Sequence, residues 1–135
     1  MVNGLSLAST NTSYPISITA VEKAGYSAYQ LTNSESLATS RAYFDVAELT
    51  GKSTLTVTFY VEAAGSDSFY FNFRHKSGSN GGTIYVDTST YALNTWNTMT
   101  IDLAELESAN GALTEFSLTL TTTSTTVYVR DITVS

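Results

Sequence analysis

Cysteine is absent from this chain, and proline, histidine and tryptophan occur once each. Without cysteine there is no disulfide, no thiol nucleophile and no Cys-ligated zinc. The lone His75 has no second imidazole or thiol with which to share a transition metal, and no serine near it sits in a nucleophile-elbow setting. Charge is scarce too, at 13% of residues, against a usual share of ~25%. What charge exists is mostly negative: 12 acids against 6 bases leave a net charge of -6. Phosphate binding needs clustered Lys and Arg, so this balance excludes nucleic acid and anionic membranes as partners. No apolar run approaches the ~18 residues of a membrane span. Met1-Val2-Asn3-Gly4 has neither a basic start nor an apolar stretch, so no signal peptide is legible. Lack of cysteine does not indicate the cytosol, because many bacterial secreted proteins have no disulfides. The expectation is a module of a larger secreted, extracellular bacterial protein, carrying an added initiator Met. An intact cytosolic protein is the alternative.

Polarity comes instead from Ser, Thr and Asn, which suits the surface of a β-protein. No stretch sustains a helical apolar period, whereas strand-like alternation recurs throughout. Strands are expected near residues 16–21, 27–32, 41–46, 54–62, 68–74, 83–86, 95–103, 115–121 and 126–134. Turn chemistry separates them. Lys23-Ala24-Gly25 divides the first two, and Ala64-Gly65-Ser66-Asp67 is read as closing a central hairpin. Ser77-Gly78-Ser79-Asn80-Gly81-Gly82 is read as the loosest loop, and residues 122–125 as a polar turn joining the last two strands. Pro15 stands at the start of the first strand, where a missing donor is harmless. A length of 135 residues fits a single domain, 1–135, with a real core. Short strands at this spacing predict an all-β, antiparallel sandwich or barrel.

Two segments echo one another: Phe44-Asp45-Val46-Ala47-Glu48-Leu49 and Ile101-Asp102-Leu103-Ala104-Glu105-Leu106. In each, an Asp ends a strand and a Glu follows three residues later, which is capping-box spacing. Asp45 and Asp102 are therefore expected to cap single helical turns. Their carboxylates are assigned a structural role at the positive end of those turns.

Chemistry concentrates on the segments 54–62 and 68–74, read here as neighbouring strands. Alternation puts Leu55, Val57, Phe59, Val61, Phe69, Phe71 and Phe73 on one face. Tyr60, Glu62, Tyr70, Asn72 and Arg74 would share the other. Two tyrosines with an amide, a guanidinium and a carboxylate suit a ligand that is part ring and part hydroxyl. Tyr60 and Tyr70 can stack on the apolar face of a sugar ring. Asn72 both donates and accepts, and Arg74 offers a planar fork for vicinal hydroxyls or a uronate carboxylate. The plainer alternatives are a cross-strand tyrosine pair, a solvated Asn, and a surface ion pair between Arg74 and Glu62. Tyr85 and Tyr91 flank a loop and could form one wall of a groove. His75 is expected to be structural or a rim contact.

Three segments then resemble jelly-roll carbohydrate-binding modules of bacterial polysaccharide-degrading enzymes. Trp96-Asn97-Thr98-Met99-Thr100-Ile101-Asp102-Leu103 is similar to their W-x-x-x-x-I-D-L strand. Tyr128-Val129-Arg130-Asp131-Ile132-Thr133-Val134 is similar to their closing Y-I-D-D-I-x-V strand, and Ala28-Tyr29-Gln30-Leu31-Thr32-Asn33 to an early S-L-K-V-T-N strand. The resemblance spans residues 15–134 and implies a jelly roll of two antiparallel sheets. It implies that one sheet holds 27–32, 54–62, 68–74 and 115–121. Gln30, Ala28, Ser117, Thr119 and Thr121 would then join Tyr60, Tyr70, Asn72 and Arg74 on a concave ligand face. It implies that Trp96 packs at the end of the sandwich, with ligand contact as the alternative. Such modules often hold a structural Ca²⁺, for which Asp131, with Glu22, is the candidate ligand. Arg130-Asp131 stands where the family often has two acids, so a local bond for Asp131 is the equal alternative.

The functional expectation is non-catalytic binding of plant-type polysaccharide: soluble β-glycan chains such as xylan, β-glucan or mannan. The module would be monomeric and covalently linked to a glycoside hydrolase that it targets, as in a cellulosome-type enzyme. An adhesion or protein-binding jelly roll of a surface or phage assembly is the alternative. A glycan-active enzyme ranks below both, because the paired acids Asp45/Glu48 and Asp102/Glu105 are explained by capping.

Overall fold

The computed structural model describes residues 7–9, 16–33, 41–63, 71–87, 89–120 and 125–135. Ten strands run through them: β1 (Leu7–Ser9), β2 (Ile16–Lys23), β3 (Tyr26–Asn33), β4 (Arg41–Phe44), β5 (Thr54–Ala63), β6 (Phe71–Ser77), β7 (Asn80–Val86), β8 (Trp96–Asp102), β9 (Glu115–Leu120) and β10 (Thr125–Val134). A short 3-10 turn (Val46–Glu48) follows β4, and one helix, α1 (Leu103–Asn110), follows β8.

The strands form two five-stranded sheets, ordered β1-β4-β9-β6-β7 and β2-β3-β10-β5-β8, with the recorded neighbours antiparallel. Leaving aside the two outer strands β1 and β2, β4-β9-β6-β7 faces β3-β10-β5-β8. That alternation between sheets is the jelly roll. The expected all-β sandwich is therefore present, and β1 is an additional strand.

The placement of the central strands differs from the expectation. β5 pairs with β10 and β8, and β6 pairs with β9 and β7. They are not a hairpin, because they belong to different sheets, and Ala64-Gly65-Ser66-Asp67 lies outside the described residues. β9 and β10 likewise belong to different sheets. Alternation settles which residues of a strand face inward but not which strand lies alongside. The inward residues of β5 and β6 do share one core, but across the sandwich.

That core is continuous. Leu55, Val57, Phe59 and Val61 of β5 and Phe71 and Phe73 of β6 are buried in it, with Tyr29, Leu31, Phe116, Leu118, Leu120, Val127, Val129 and Ile132. Phe69 lies outside the described residues. The rings of Phe71, Phe73, Phe116 and Phe44 form a chain with centroids 5.2, 5.8 and 5.3 Å apart.

Both capping aspartates act as expected. The Ala47 N–H donates to Asp45 Oδ1 at 3.0 Å, and the Glu105 N–H donates to Asp102 Oδ1 at 2.9 Å. The second site opens not a single turn but the eight-residue α1. Its Leu103 is buried and its Leu106 packs against the core. The segment read as the loosest loop is a tight hairpin, with Ser77 opposite Asn80. Gly78 at φ 62 supplies the positive φ that its first turn position needs.

Candidate functional site

Each sheet has an outer face, and the expected ligand residues are divided between them. On the β1-β4-β9-β6-β7 sheet, register aligns Arg41, Thr119, Asn72 and Tyr85 in one row. The next row is Tyr43, Ser117, Arg74 and Thr83. On the other sheet one row is Thr19, Gln30, Tyr128, Tyr60 and Trp96. Asn72 and Arg74 therefore do not share a surface with Tyr60, Glu62 and Gln30. Tyr70 lies outside the described residues, as does Thr121.

The second face is closed by its own side chains. Lys23 lies four residues beyond Thr19, about 13 Å along a straight strand. Yet its Nζ donates to Glu62 Oε2 at 2.7 Å and stands 4.9 and 4.8 Å from the ring centroids of Tyr60 and Tyr128. The β2–β3 hairpin must curl across the sheet to bring it there. Its tip turns through Ala24 and Gly25, at φ 49 and 87. At the same end Arg130 lies 3.9 Å from the Tyr26 ring centroid and 4.8 Å from that of Trp96. A register shift in β10 between Val129 and Ile132 accompanies it. Trp96 meets Tyr26 and Tyr60 edge-on, at 6.0 and 5.5 Å. Tyr60 is thus covered by Lys23 and flanked by Trp96 and Tyr128. Register with Tyr60 puts Trp96 on this outer face, packed into an aromatic and cationic cluster.

The first face is open. A groove of about 450 Å³ runs along it, lined by Arg41, Arg74, His75, Lys76, Thr83, Glu115 and Ser117 among others. Ser117 in its lining is wholly buried; Asn72 and Thr119, in the adjoining row of the same face, are 5% and 4% exposed. The Ser117 hydroxyl and the Asn72 carbonyl oxygen have no hydrogen-bond partner. Buried polar atoms are nearly always paired; His75 Nδ1 and Trp96 Nε1 are likewise without a partner. Arg74, half-buried between Ser117 and Thr83, has no acidic partner among the described residues. The ion pair with Glu62 considered for it does not form, because Glu62 is on the other sheet and bound to Lys23. Tyr85, 59% exposed, stands beside Asn72 at the edge strand. Tyr91 does not join it: its ring packs on Phe59 at 5.3 Å, against the core.

His75 sits at the groove's end. Burial pushes its pKa below the ordinary histidine range, and its buried Nδ1 has no partner. The ring lies where Gly82 has no side chain; a Cβ there would fall 2.8 Å from Nε2. Among the described residues Glu115 is the one carboxylate in the lining.

The chain covers 98% of its length on a structure of the N-terminal CBM22-1–GH10 modules of endo-1,4-β-D-xylanase 10B from Clostridium thermocellum, complexed with xylohexaose, at 18% identity and TM-score 0.61. It spans about a quarter of that longer chain, 26%. It also matches a family 30 carbohydrate-binding module over 99% of its length and 80% of the module's, at 15% identity and TM-score 0.51. The fold is that of a carbohydrate-binding module. No protein-family model and no curated protein matches the sequence.

Calcium needs six to eight oxygen ligands. Asp131 is engaged by Arg130, whose Nε donates to its Oδ2 at 2.6 Å, and Glu22 is exposed near the hairpin tip. Among the described residues no three acids or histidines gather as a metal site.

Some of the groove was missed from the sequence. Arg41, Lys76 and Glu115 come from three strands and reach one surface only through the β4-β9-β6 pairing. For Lys76 and Glu115 the signal available was parity: they are on the same strand faces as Arg74 and Ser117.

Proposed function

We propose that the protein binds polysaccharide without cleaving it, in the groove on the β1-β4-β9-β6-β7 sheet. The observation that carries this reading is the open groove itself, where Arg74 lies between Ser117 and Thr83 with no acidic partner among the described residues. Tyr85 offers an exposed ring for a sugar at the edge. An open groove suits a single soluble chain, of the xylan, β-glucan or mannan kind, better than a crystalline surface. The likeness in fold to modules of polysaccharide-degrading enzymes supports a role as a secreted module, monomeric and attached to a catalytic domain whose local substrate concentration it raises.

Affinity gel electrophoresis tests this against xylan, mixed-linkage glucan, xyloglucan, glucomannan and pectin. Retardation by at least one class is expected, and its loss in Arg74→Ala with an unchanged melting temperature. No retardation by any of the five would overturn the reading.

A further inference from the structure

The chain is acidic, yet the groove is not. Of its six Lys and Arg residues, three line this groove: Arg41, Arg74 and Lys76. Among the described lining residues one carboxylate stands against these, Glu115, which meets Arg41 at 3.9 Å and lies opposite Lys76 in register. On the other sheet each cation has its own acid close by: Lys23 with Glu62 at 2.7 Å and Arg130 with Asp131 at 2.6 Å. Among the described residues, Arg74 in the groove has no such acid, and it lies beside Ser117, whose hydroxyl is wholly buried.

A neutral glycan would not need this. Hydroxyls are bound well by amides, hydroxyls and aromatic rings, and a surplus of positive charge is costly to hold beside buried polar atoms without a counter-charge. From this we infer that the groove selects polysaccharide bearing uronic acid carboxylates, with Arg74 receiving the carboxylate. The guanidinium fork matches a carboxylate's two oxygens, and Arg74 is the lining cation that is both half-buried and free of an acid. Lys76, exposed at the rim, adds attraction without fixing geometry. This rests on the groove being the glycan site and names the class of glycan it takes.

Isothermal titration tests it with glucuronoxylan, polygalacturonate and alginate, each compared with the same polymer after its carboxyls are reduced to alcohols. At least one intact polymer is expected to bind about tenfold more tightly than its reduced form at low salt. The advantage should shrink as salt rises, since the carboxylate is partly exposed. Arg74→Gln should abolish the difference, and Lys52→Gln, which removes an equal charge from an exposed turn, should preserve it. If reduced polymers bind as tightly as intact ones and Arg74→Gln weakens both, selection for uronate is wrong while the groove stands. If Lys52→Gln erases the difference as fully as Arg74→Gln, net charge and not the groove is responsible, and the inference falls. If no polymer binds in either form, the groove reading and this inference fall together.

Discussion

The rings of Phe59 and Phe71 pack with centroids 5.5 Å apart although their strands belong to different sheets. The contact is one of the pins that hold the two layers face to face. Both residues are wholly buried, and each has further aromatic neighbours, Tyr91 for Phe59 and Phe73 for Phe71.

Truncation at this pin should therefore be severe. Phe71→Ala is expected to destabilise the fold by about 3–5 kcal/mol, through lost transfer energy and an unfilled cavity. Urea denaturation would measure it. A double-mutant cycle with Phe59→Ala should show a coupling of about 0.5–1.5 kcal/mol. Strict additivity would mean that the rings do not support one another.

Ser117 should separate stability from binding. Its hydroxyl is buried and unpaired, so Ser117→Ala removes a desolvated group that earns nothing in the free protein. The variant is expected to be about 1 kcal/mol more stable and to bind glycan more weakly. Thermal melting and gel retardation, run on the same preparation, check both. A destabilised variant would show that the hydroxyl already has a partner.

Trp96 gives a reporter for the other face. It is the only tryptophan, and it lies on the outer side of the β2-β3-β10-β5-β8 sheet, across the core from the groove. Its emission should hardly change when a binding polysaccharide is added. By contrast, Tyr26→Ala should shift it to longer wavelength by uncovering the indole. A large glycan-induced change would place the ligand on the aromatic cluster instead.

His75 ties stability to pH. Burial lowers its pKa in the folded chain below the 6.5 of an ordinary histidine. The unfolded chain then binds more protons than the folded one as pH falls past that value. The stability linked to neutral His75 is complete above it and is lost as pH falls through 6.5 toward the folded pKa. Urea midpoints between about pH 5 and 8 should rise with pH in the wild type. The rise should be smaller in His75→Gln, whose side chain does not titrate.

How far the chain could be read without its structure depends on the range of the interaction concerned. Period-two alternation marked nearly every strand, because a pleated strand forces neighbouring side chains to opposite faces. The Asp45 and Asp102 caps were legible for the same local reason: donor and acceptor lie two or three residues apart. The tight Ser77–Asn80 hairpin was missed because its glycines look like a flexible loop until the flanking strands pair. Tyr91 was misplaced because nothing nearby in sequence announces the Phe59 ring that it covers.

The sequence by itself determined an all-β sandwich, which residues face its core, the acidic surface without cysteine, and a stock of side chains suited to sugars. Only the tertiary structure decided how those side chains are shared. Parity gives each strand two faces, but pairing partners are fixed by packing between distant segments, and the jelly roll sends β5 and β6 to opposite layers. That crossing took Tyr60 and Glu62 into a self-covered aromatic cluster. It left Arg74 beside Ser117, Arg41 and Lys76 in the open groove, with Asn72 on the same face.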